Sequence, residues 1–241
     1  MSKTRRGQRK TGADNYPTPE WAIKRFLEEW EDLHRVGPRW IEPCAGDGVI
    51  VDVVNHFRSG IDWTAVELRD TTPALHRVGL RPDQIRIGDF FALFPGRLPG
   101  KTHTALSRAL APDQPFDVAI LNPPFRLTMA FILRCFEIAR TVVVMQRVNY
   151  LGSEDRNEWF RANIPDLYVL PNRVSFTGDG KADGLEHAWH TWGPHPRVGV
   201  GELRLLKATP LEERKLSYRR IVVARDETAV TLDALFTEAA S

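Results

Sequence analysis

Two consecutive prolines close an apolar run near the middle of this 241-residue chain, and they constrain its fold more than any other feature. The run at 117–121 reads Asp-Val-Ala-Ile-Leu, and so short an apolar segment predicts a buried strand. In the Asn122-Pro123-Pro124-Phe125 stretch that follows, the prolines end the strand and fix the backbone beyond its carboxyl end. Ligands of open α/β sheets bind at that edge, so these residues are the first candidates for a functional site.

The same stretch combines two hydrogen-bond acceptors with an aromatic ring. We expect the side-chain oxygen of Asn122 and the carbonyl of Pro123 to bind the two N–H groups of a planar amine, such as that of adenine. They would favour a more pyramidal nitrogen, with its lone pair aimed at an electrophilic methyl group, while Phe125 stacks on the ring. A plain proline-rich turn is the alternative interpretation. We predict methyl transfer to nitrogen, with catalytic residues Asn122, Pro123, Pro124 and Phe125.

Strand patterns and helix patterns alternate along the rest of the chain. We predict further strands at 40–43, 63–68, 84–87, 141–145, 167–170, 187–192 and 200–206. We predict helices at 20–33, 49–57, 127–139 and 157–162. Such alternation indicates an α/β fold, and we predict a Rossmann-like, mainly parallel seven-stranded sheet flanked by helices.

Charge is unevenly distributed along the chain, whose formal net charge is +2. Residues 1–10 contain five basic side chains and no acidic one, and residues 1–13 lack apolar periodicity, so we predict a disordered basic arm there. We expect residues 14–241 to form a single domain with a small C-terminal extension. A long loop at 94–116 is predicted to be functional or mobile. The arm can hold a polyanion or merely keep the protein in solution.

The cysteine, histidine and hydropathy patterns exclude several classes of site. Cys44 and Cys135 are far apart and flanked by apolar or proline residues, which favours buried, reduced thiols. His187 and His190 lie three apart on a predicted strand, so they would face opposite sides of it, and we predict no metal site. No apolar run is long enough to cross a membrane, and no signal peptide is visible.

The ends of the first three predicted strands favour a cationic cofactor. The turn from Glu42 to Gly48 lacks the Gly-x-Gly-x-x-Gly pattern of dinucleotide sites and has acidic residues that suit a cation better than a pyrophosphate. Glu67 is placed to accept hydrogen bonds from ribose hydroxyls, and Asp89 to accept one from an adenine amino group. Each acid alone could equally be a surface carboxylate or a helix cap. The predicted cofactor-binding residues are Tyr16, Thr18, Glu42, Pro43, Ala45, Gly46, Gly48, Glu67, Leu68, Asp89 and Phe90.

Taken in this order, the motifs resemble those of the DNA adenine-N6 methyltransferases that use S-adenosylmethionine, in the gamma arrangement. The segment 16–19, Tyr-Pro-Thr-Pro, is similar to the N-terminal cofactor motif of that family. The segments 173–181 and 187–193 resemble the small phage-type enzymes, in which the residue equivalent to Phe176 packs against the extruded base. Many relatives have Asp in place of Asn122, or Tyr or Trp in place of Phe125. The larger restriction-type relatives also have a C-terminal recognition domain for which this chain has too few residues.

The resemblance implies a class I methyltransferase fold, S-adenosylmethionine as cofactor, DNA as partner and a base flipped out of the duplex. It implies no obligatory protein partner and a location in the cytoplasm of a bacterial cell or phage-infected host. We expect the arm to bind the DNA backbone through Arg5, Arg6, Arg9 and Lys10. RNA, the N4 amine of cytosine and protein glutamine are alternative substrates, because their nitrogen presents the same geometry. A non-catalytic DNA-binding protein is disfavoured by the intact Asn-Pro-Pro-Phe stretch.

Overall fold

The computed structural model describes residues 17–96, 114–176, 184–193 and 201–217. The strands are β1 (Arg39–Glu42), β2 (Asp62–Glu67), β3 (Ile85–Ile87), β4 (Phe116–Leu121), β5 (Ala139–Arg147), β6 (Asp166–Val169), β7 (His187–Trp192) and β8 (Leu203–Leu205). The helices are α1 (Glu20–Leu27), α2 (Val49–Phe57), α3 (Thr72–Arg77), α4 (Phe90–Leu93), α5 (Thr128–Ile138), α6 (Glu154–Ala162) and α7 (211–217). Short 3-10 helices occur at Pro82–Gln84 and Val148–Leu151.

The eight strands of the described residues form one sheet in the order β3-β2-β1-β4-β5-β7-β6-β8. Only β7 pairs antiparallel with its neighbours, β5 and β6, so the described sheet is mainly parallel as predicted. The predicted count of seven strands is wrong, because β8 pairs in parallel with β6 and adds an edge strand. Strand order reverses between β1 and β4, and the crevice at such a reversal is where open α/β sheets bind ligands.

Helices cover both faces of the sheet and bury two apolar clusters. On one face, α1 and α2 pack against the sheet through side chains such as Trp21 and Trp189, and the indole nitrogen of Trp189 donates a 3.0 Å hydrogen bond to the carbonyl of Ala22. On the other face, α5 and α6 contribute Phe131 and Trp159. Burial of each such side chain contributes about 1.5–3 kcal/mol, so this packing fixes the strand ends that form the site.

The helix predicted at 20–33 is shorter in the structure and ends at Leu27. The apolar spacing continues to Trp30 and Leu33, which are buried on turns instead of a helix. The guanidinium of Arg58 donates hydrogen bonds of 2.6 and 2.7 Å to the carbonyls of Leu33 and Val36. Arg58 directly follows α2, so these hydrogen bonds link the segment of turns to the end of that helix.

The helix α2 has its predicted bounds, 49–57, whereas α3 and α4 were not predicted from the sequence. These two helices contain only six and four residues, which is too short to show a helical period. The structure describes residues 94–96 and 114–116 of the predicted 94–116 loop, and the remainder lies outside the described residues.

The two histidines of β7 lie on opposite faces, as predicted. His187 contacts Phe176, while His190 stacks on Trp192 at 6.4 Å. Burial lowers the pKa of His190 to about 4. Both cysteines are free thiols; Cys135 is buried, but Cys44 is partly exposed, contrary to prediction.

None of the described helices has the length and apolar character needed to cross a membrane. Within the same residues, no group of three or more histidine, cysteine or acidic side chains is arranged to hold a metal ion.

Candidate active site

A cavity of about 460 Å³ opens at the carboxyl ends of β1, β2, β3 and β4, within the volume range of small-molecule sites. It brings together most of the predicted site residues: Thr18, Glu42, Pro43, Ala45, Gly46, Glu67, Leu68, Asp89, Phe90, Asn122 and Pro124. It also contains lining residues that were not among the predicted site residues, including Cys44, Asp47, Arg69, Phe91, Leu127 and Phe131, although Asp47 was recognised as an acidic residue of the turn. Arg69 directly follows the strand predicted at 63–68, and that position was the available signal for it.

Several predicted residues do not line the cavity. Gly48 starts α2 with φ of 81°, and a Cβ there would lie 2.7 Å from Val78, so this glycine allows close packing of α2. In contrast, Gly46 has φ of 55° and faces open space, since a Cβ there would meet no atom within 4 Å. The predicted Tyr16, Arg5, Arg6, Arg9 and Lys10 lie outside the described residues, as does 177–183 of the glycine-rich loop.

Glu42 is a buried carboxyl group at the end of β1, with only 2% of its surface exposed. A backbone hydrogen bond from Val51 reaches its carboxylate, but Oε2 has no hydrogen-bond partner among the described residues. Burial, with a smaller contribution from repulsion by Glu67, raises the pKa of Glu42 well above its usual range. An unsatisfied acidic oxygen in a cavity wall suits a cationic ligand group.

Glu67, at the end of β2, connects the glycine turn to the loop after its own strand. Its Oε2 accepts a 2.9 Å hydrogen bond from the Gly46 N–H. Its Oε1 accepts hydrogen bonds from the backbone N–H and the Nε of Arg69, at 3.1 and 3.0 Å. Since a carboxylate offers about four acceptor positions, a ligand hydroxyl can still bind beside these donors. Glu67 therefore also has a structural role that its position at a strand end did not reveal.

Asp89 caps α4, and its Oδ1 accepts a 2.9 Å hydrogen bond from the Phe91 N–H. Asp89 is therefore a helix cap, which was the alternative interpretation of this acid from the sequence. It also lines the cavity. The next residue, Phe90, is buried and stacks on Phe131 with ring centroids 5.2 Å apart and planes 6° apart. The two stacked rings line the cavity, where a planar ring of a ligand could pack against them.

Asn122 follows β4 and is held at both its side chain and its backbone. Its Nδ2 donates a 2.9 Å hydrogen bond to the hydroxyl of Thr18, and its carbonyl accepts one of 3.6 Å from the Cys44 thiol. Beyond it, the carbonyl of Pro124 accepts a 2.8 Å hydrogen bond from Leu127. Among the described residues, no donor binds the carbonyl of Pro123, but Pro123 is buried and does not line the cavity.

Phe125 belongs to an aromatic and cationic cluster beside the cavity. Phe176 meets its ring edge-on at 6.1 Å, and His187 lies 6.3 Å away. The guanidinium of Arg147, at the end of β5, lies 4.5 Å from the centre of the Phe125 ring. The sequence analysis named Phe125 and Phe176 but missed Arg147 and His187 as members of this cluster, because only the sheet order brings β5 and β7 to this point.

A buried hydrogen-bond network links the start of α5 and the end of β5 to the proline turn, 122–125. The side chain of Gln146 donates a 2.7 Å hydrogen bond to the hydroxyl of Thr128, at the start of α5. That hydroxyl lies 3.4 and 3.3 Å from the carbonyls of Pro124 and Phe125. Gln146 also accepts a 2.8 Å hydrogen bond from the backbone N–H of Arg147. One network therefore positions both Phe125 and the arginine beside it.

This chain is similar to known proteins in its fold and not detectably in its sequence. No protein-family model matches the chain, and no curated protein sequence matches it significantly. A candidate RNA methyltransferase from Pyrococcus horikoshii aligns with 77% of this chain and 90% of its own, at 17% identity and a TM-score of 0.52.

Two further solved structures align over most of this chain. One is the methyltransferase subunit of a type I restriction-modification system from Streptococcus thermophilus, which covers 86% of this chain and 53% of its own at 11% identity (TM-score 0.55). The other is a candidate class I S-adenosylmethionine-dependent methyltransferase from Listeria monocytogenes. It aligns with 85% of this chain and 73% of its own, at 13% identity and a TM-score of 0.50. This chain therefore has the Rossmann-like fold of the class I methyltransferases.

Proposed function

We propose that this protein transfers a methyl group from S-adenosylmethionine to the N6 amine of adenine in DNA. The observation that carries the proposal is the position of Asn122 in the wall of the cavity; the carbonyl of Pro123, which has no donor among the described residues, comes next in the chain. These groups provide two acceptors for the two N–H groups of an exocyclic amine. The fold neighbours support a methyltransferase, and the motif resemblance supports the choice of adenine.

The cavity residues fit the proposed cofactor. The unsatisfied Oε2 of Glu42 suits a cationic ligand, and S-adenosylmethionine has both a sulfonium and an ammonium group. Gly46 leaves space for close approach, and Glu67 can accept from ribose hydroxyls. Phe90 would lie beside the adenine ring, together with the exposed side chain of Leu68. When bound, the cofactor supplies an electrophilic methyl group.

The residues of the proline turn orient the amine for attack. With its N–H groups bound by Asn122 and Pro123, the amine directs its lone pair out of the plane of the base. The nitrogen forms the new N–C bond, the C–S bond breaks with its electron pair remaining on sulfur, and one N–H proton passes to solvent. Positioning and exclusion of water account for the rate, and we assign no general base.

A base in duplex DNA must leave the stack to reach this site, at a cost of a few kcal/mol. Stacking of the base on the partly exposed Phe125, which packs against the buried Phe176, would offset part of this cost. Two arginines favour a nucleic acid over a neutral glutamine side chain. Arg147 lies over Phe125, and Arg126 is exposed, with no acidic partner among the described residues. Guanidinium groups at these positions suit the phosphates on either side of a flipped base.

The same chemistry on RNA is the second candidate. It is favoured by the Pyrococcus horikoshii fold neighbour, which is named as an RNA methyltransferase. The amine of an RNA adenine would meet the same acceptors, so the described site fits both nucleic acids.

The proposal is tested with Asn122→Ala and a matched control, Asn157→Ala, at an exposed position on α6. We expect Asn122→Ala to abolish methyl transfer while the affinity for S-adenosylmethionine, measured by calorimetry, stays nearly unchanged. Asn157→Ala should behave like the wild type in both measurements. If Asn122→Ala loses cofactor binding and turnover to the same degree, the assignment of Asn122 to the substrate amine is wrong.

A further inference from the structure

We infer that Gln146 and Thr128 are positioning residues that hold the stacking ring of Phe125 in place through a hydrogen-bond chain of fixed direction. For its effect on a substrate, the inference rests on the proposed function. Gln146 and Thr128 are both buried, and neither of them lines the cavity. They can therefore act on a substrate only through residues that contact it.

The direction of every hydrogen bond in this chain follows from its first donor. The backbone N–H of Arg147 can only donate, and it donates a 2.8 Å hydrogen bond to Oε1 of Gln146. The other end of that amide, Nε2, can also only donate, and it binds the hydroxyl oxygen of Thr128 at 2.7 Å. The single proton of the Thr128 hydroxyl is thus left for the carbonyls of the proline turn, 3.4 and 3.3 Å away.

The chain joins two backbone segments whose side chains contact each other. It begins at Arg147, at the end of β5, and ends at the carbonyls of Pro124 and Phe125. The pairing of β4 with β5 stops at Leu121 and Val144, so the strand ladder does not reach the turn. The Arg147 guanidinium lies 4.5 Å from the centre of the Phe125 ring, where a cation is attracted to an aromatic face. The chain therefore fixes the two backbones from which this guanidinium and this ring extend.

Loss of the Thr128 hydroxyl would disturb both ends of the chain. The Nε2 donor of Gln146 would lose its acceptor in a buried environment, which is costly, so the side chain would rearrange. The proline turn would lose the donor that faces its carbonyls. Because Phe125 extends from that turn, its partly exposed ring would no longer be held where a base can stack on it.

The test compares Thr128→Val, which keeps the shape and removes the hydroxyl, with Thr128→Ser, which keeps the hydroxyl. The matched control is Thr141→Val on β5, because Thr141 is also fully buried and its hydroxyl has no partner among the described residues. With the substrate that the wild type methylates, we expect Thr128→Val to weaken substrate binding about fivefold and to change the cofactor Kd less than about twofold. Thr128→Ser and Thr141→Val should bind substrate like the wild type. Thr128→Ala replaces Thr128→Val if the latter does not fold.

A double-mutant cycle separates positioning of the ring from a general structural effect. In the Phe125→Ala background, Thr128→Val should weaken substrate binding no further, because the ring that the chain positions is gone. An equal loss in both backgrounds would overturn the inference, as would unchanged substrate binding in Thr128→Val.

A second measurement does not depend on a substrate. The guanidinium signals of Arg147, assigned by NMR from their loss in Arg147→Lys, should carry a ring-current shift from Phe125, with Phe125→Ala as the reference without the ring. We expect Thr128→Val to move these signals toward the reference and Thr128→Ser to leave them in place. Unchanged signals in Thr128→Val would refute the positioning of the ring. If the signals move as expected but the wild type methylates no substrate, the proposed function fails while the positioning of Phe125 stands.

Discussion

The carboxyl groups of Glu42 and Glu67 lie close enough at the ends of adjacent strands for the charge of Glu67 to raise the pKa of Glu42, in addition to the larger effect of burial. Their environments differ sharply. Glu67 accepts hydrogen bonds from Gly46 and Arg69, whereas one oxygen of Glu42 has no partner among the described residues. Glu67 is thus a hydrogen-bonded carboxylate, whereas the environment of Glu42 favours either its protonated form or a cationic ligand beside it.

This difference predicts a pH dependence of stability. A carboxyl group with a raised folded pKa binds more protons in the folded than in the unfolded state, so the free energy of unfolding falls as the pH rises. The fall begins near the usual value of 4.5 and continues to the raised folded pKa, at up to ~1.4 kcal/mol per pH unit. Glu42→Gln should show a flatter profile in urea unfolding between pH 5 and 8. The exposed control Glu158→Gln should match the wild type, and parallel profiles for Glu42→Gln and the wild type would contradict the assignment.

Glu67 should contribute to cofactor affinity through the ribose hydroxyls. We expect Glu67→Ala to weaken binding of S-adenosylmethionine by about 1.5–3 kcal/mol, the range for hydrogen bonds to a charged group. Because Glu67 also supports Gly46, the folded state of the variant must be checked by circular dichroism. The control Glu158→Ala, at an exposed position on α6, should leave the affinity unchanged. Calorimetry that shows full affinity in folded Glu67→Ala would reject the ribose assignment.

Phe125 should act through its aromatic face. Phe125→Ala is expected to weaken substrate binding by about 1–3 kcal/mol, because a stacking surface is lost. Phe125→Trp should retain activity, since the ring surface is preserved. Filter binding and single-turnover rates measure the two effects separately. Equal loss in both variants would show that the fit of the phenyl ring against Phe176 and Arg147 matters more than stacking on a base.

Phosphate contacts should appear in the salt dependence of DNA binding. Arg126→Ala is expected to reduce the log–log slope by about 0.9, the value for one phosphate contact, and removal of residues 1–12 should reduce it further. Both changes should weaken binding to specific and unrelated duplexes alike, because phosphate contacts carry no sequence information. An unchanged slope after truncation would mean that the arm only aids solubility. A changed methylation site would mean that the arm reads bases.

Sequence patterns were sufficient for the elements that depend on local regularity. The strand before Asn122 follows from its apolar run, α2 has its predicted bounds, and many of the cavity residues follow from their places at strand ends. Contacts across the sheet could not be read in the same way. The hydrogen bond from Asn122 to Thr18 joins residues 104 positions apart, and the approach of Arg147 to Phe125 depends on β5 lying beside β4.

Two differences from prediction involve contacts between segments distant in sequence. After Leu27 the chain forms turns that bury Trp30 and Leu33, and Arg58 donates hydrogen bonds to the carbonyls of Leu33 and Val36 in that segment. A strand at 200–206 was predicted, but the parallel pairing of β8 with β6, which makes the sheet eight-stranded, was not.

The most direct test of the proposed activity is a competition among substrates. Wild-type protein is incubated with labelled S-adenosylmethionine and equal amounts of duplex DNA, single-stranded DNA and RNA, with a glutamine-containing protein in a parallel reaction. The labelled products are then digested and identified. We predict label in N6-methyladenine from DNA, and none above background with Asn122→Ala. Label confined to RNA, to cytosine or to protein, or no label in any substrate, would contradict the proposal.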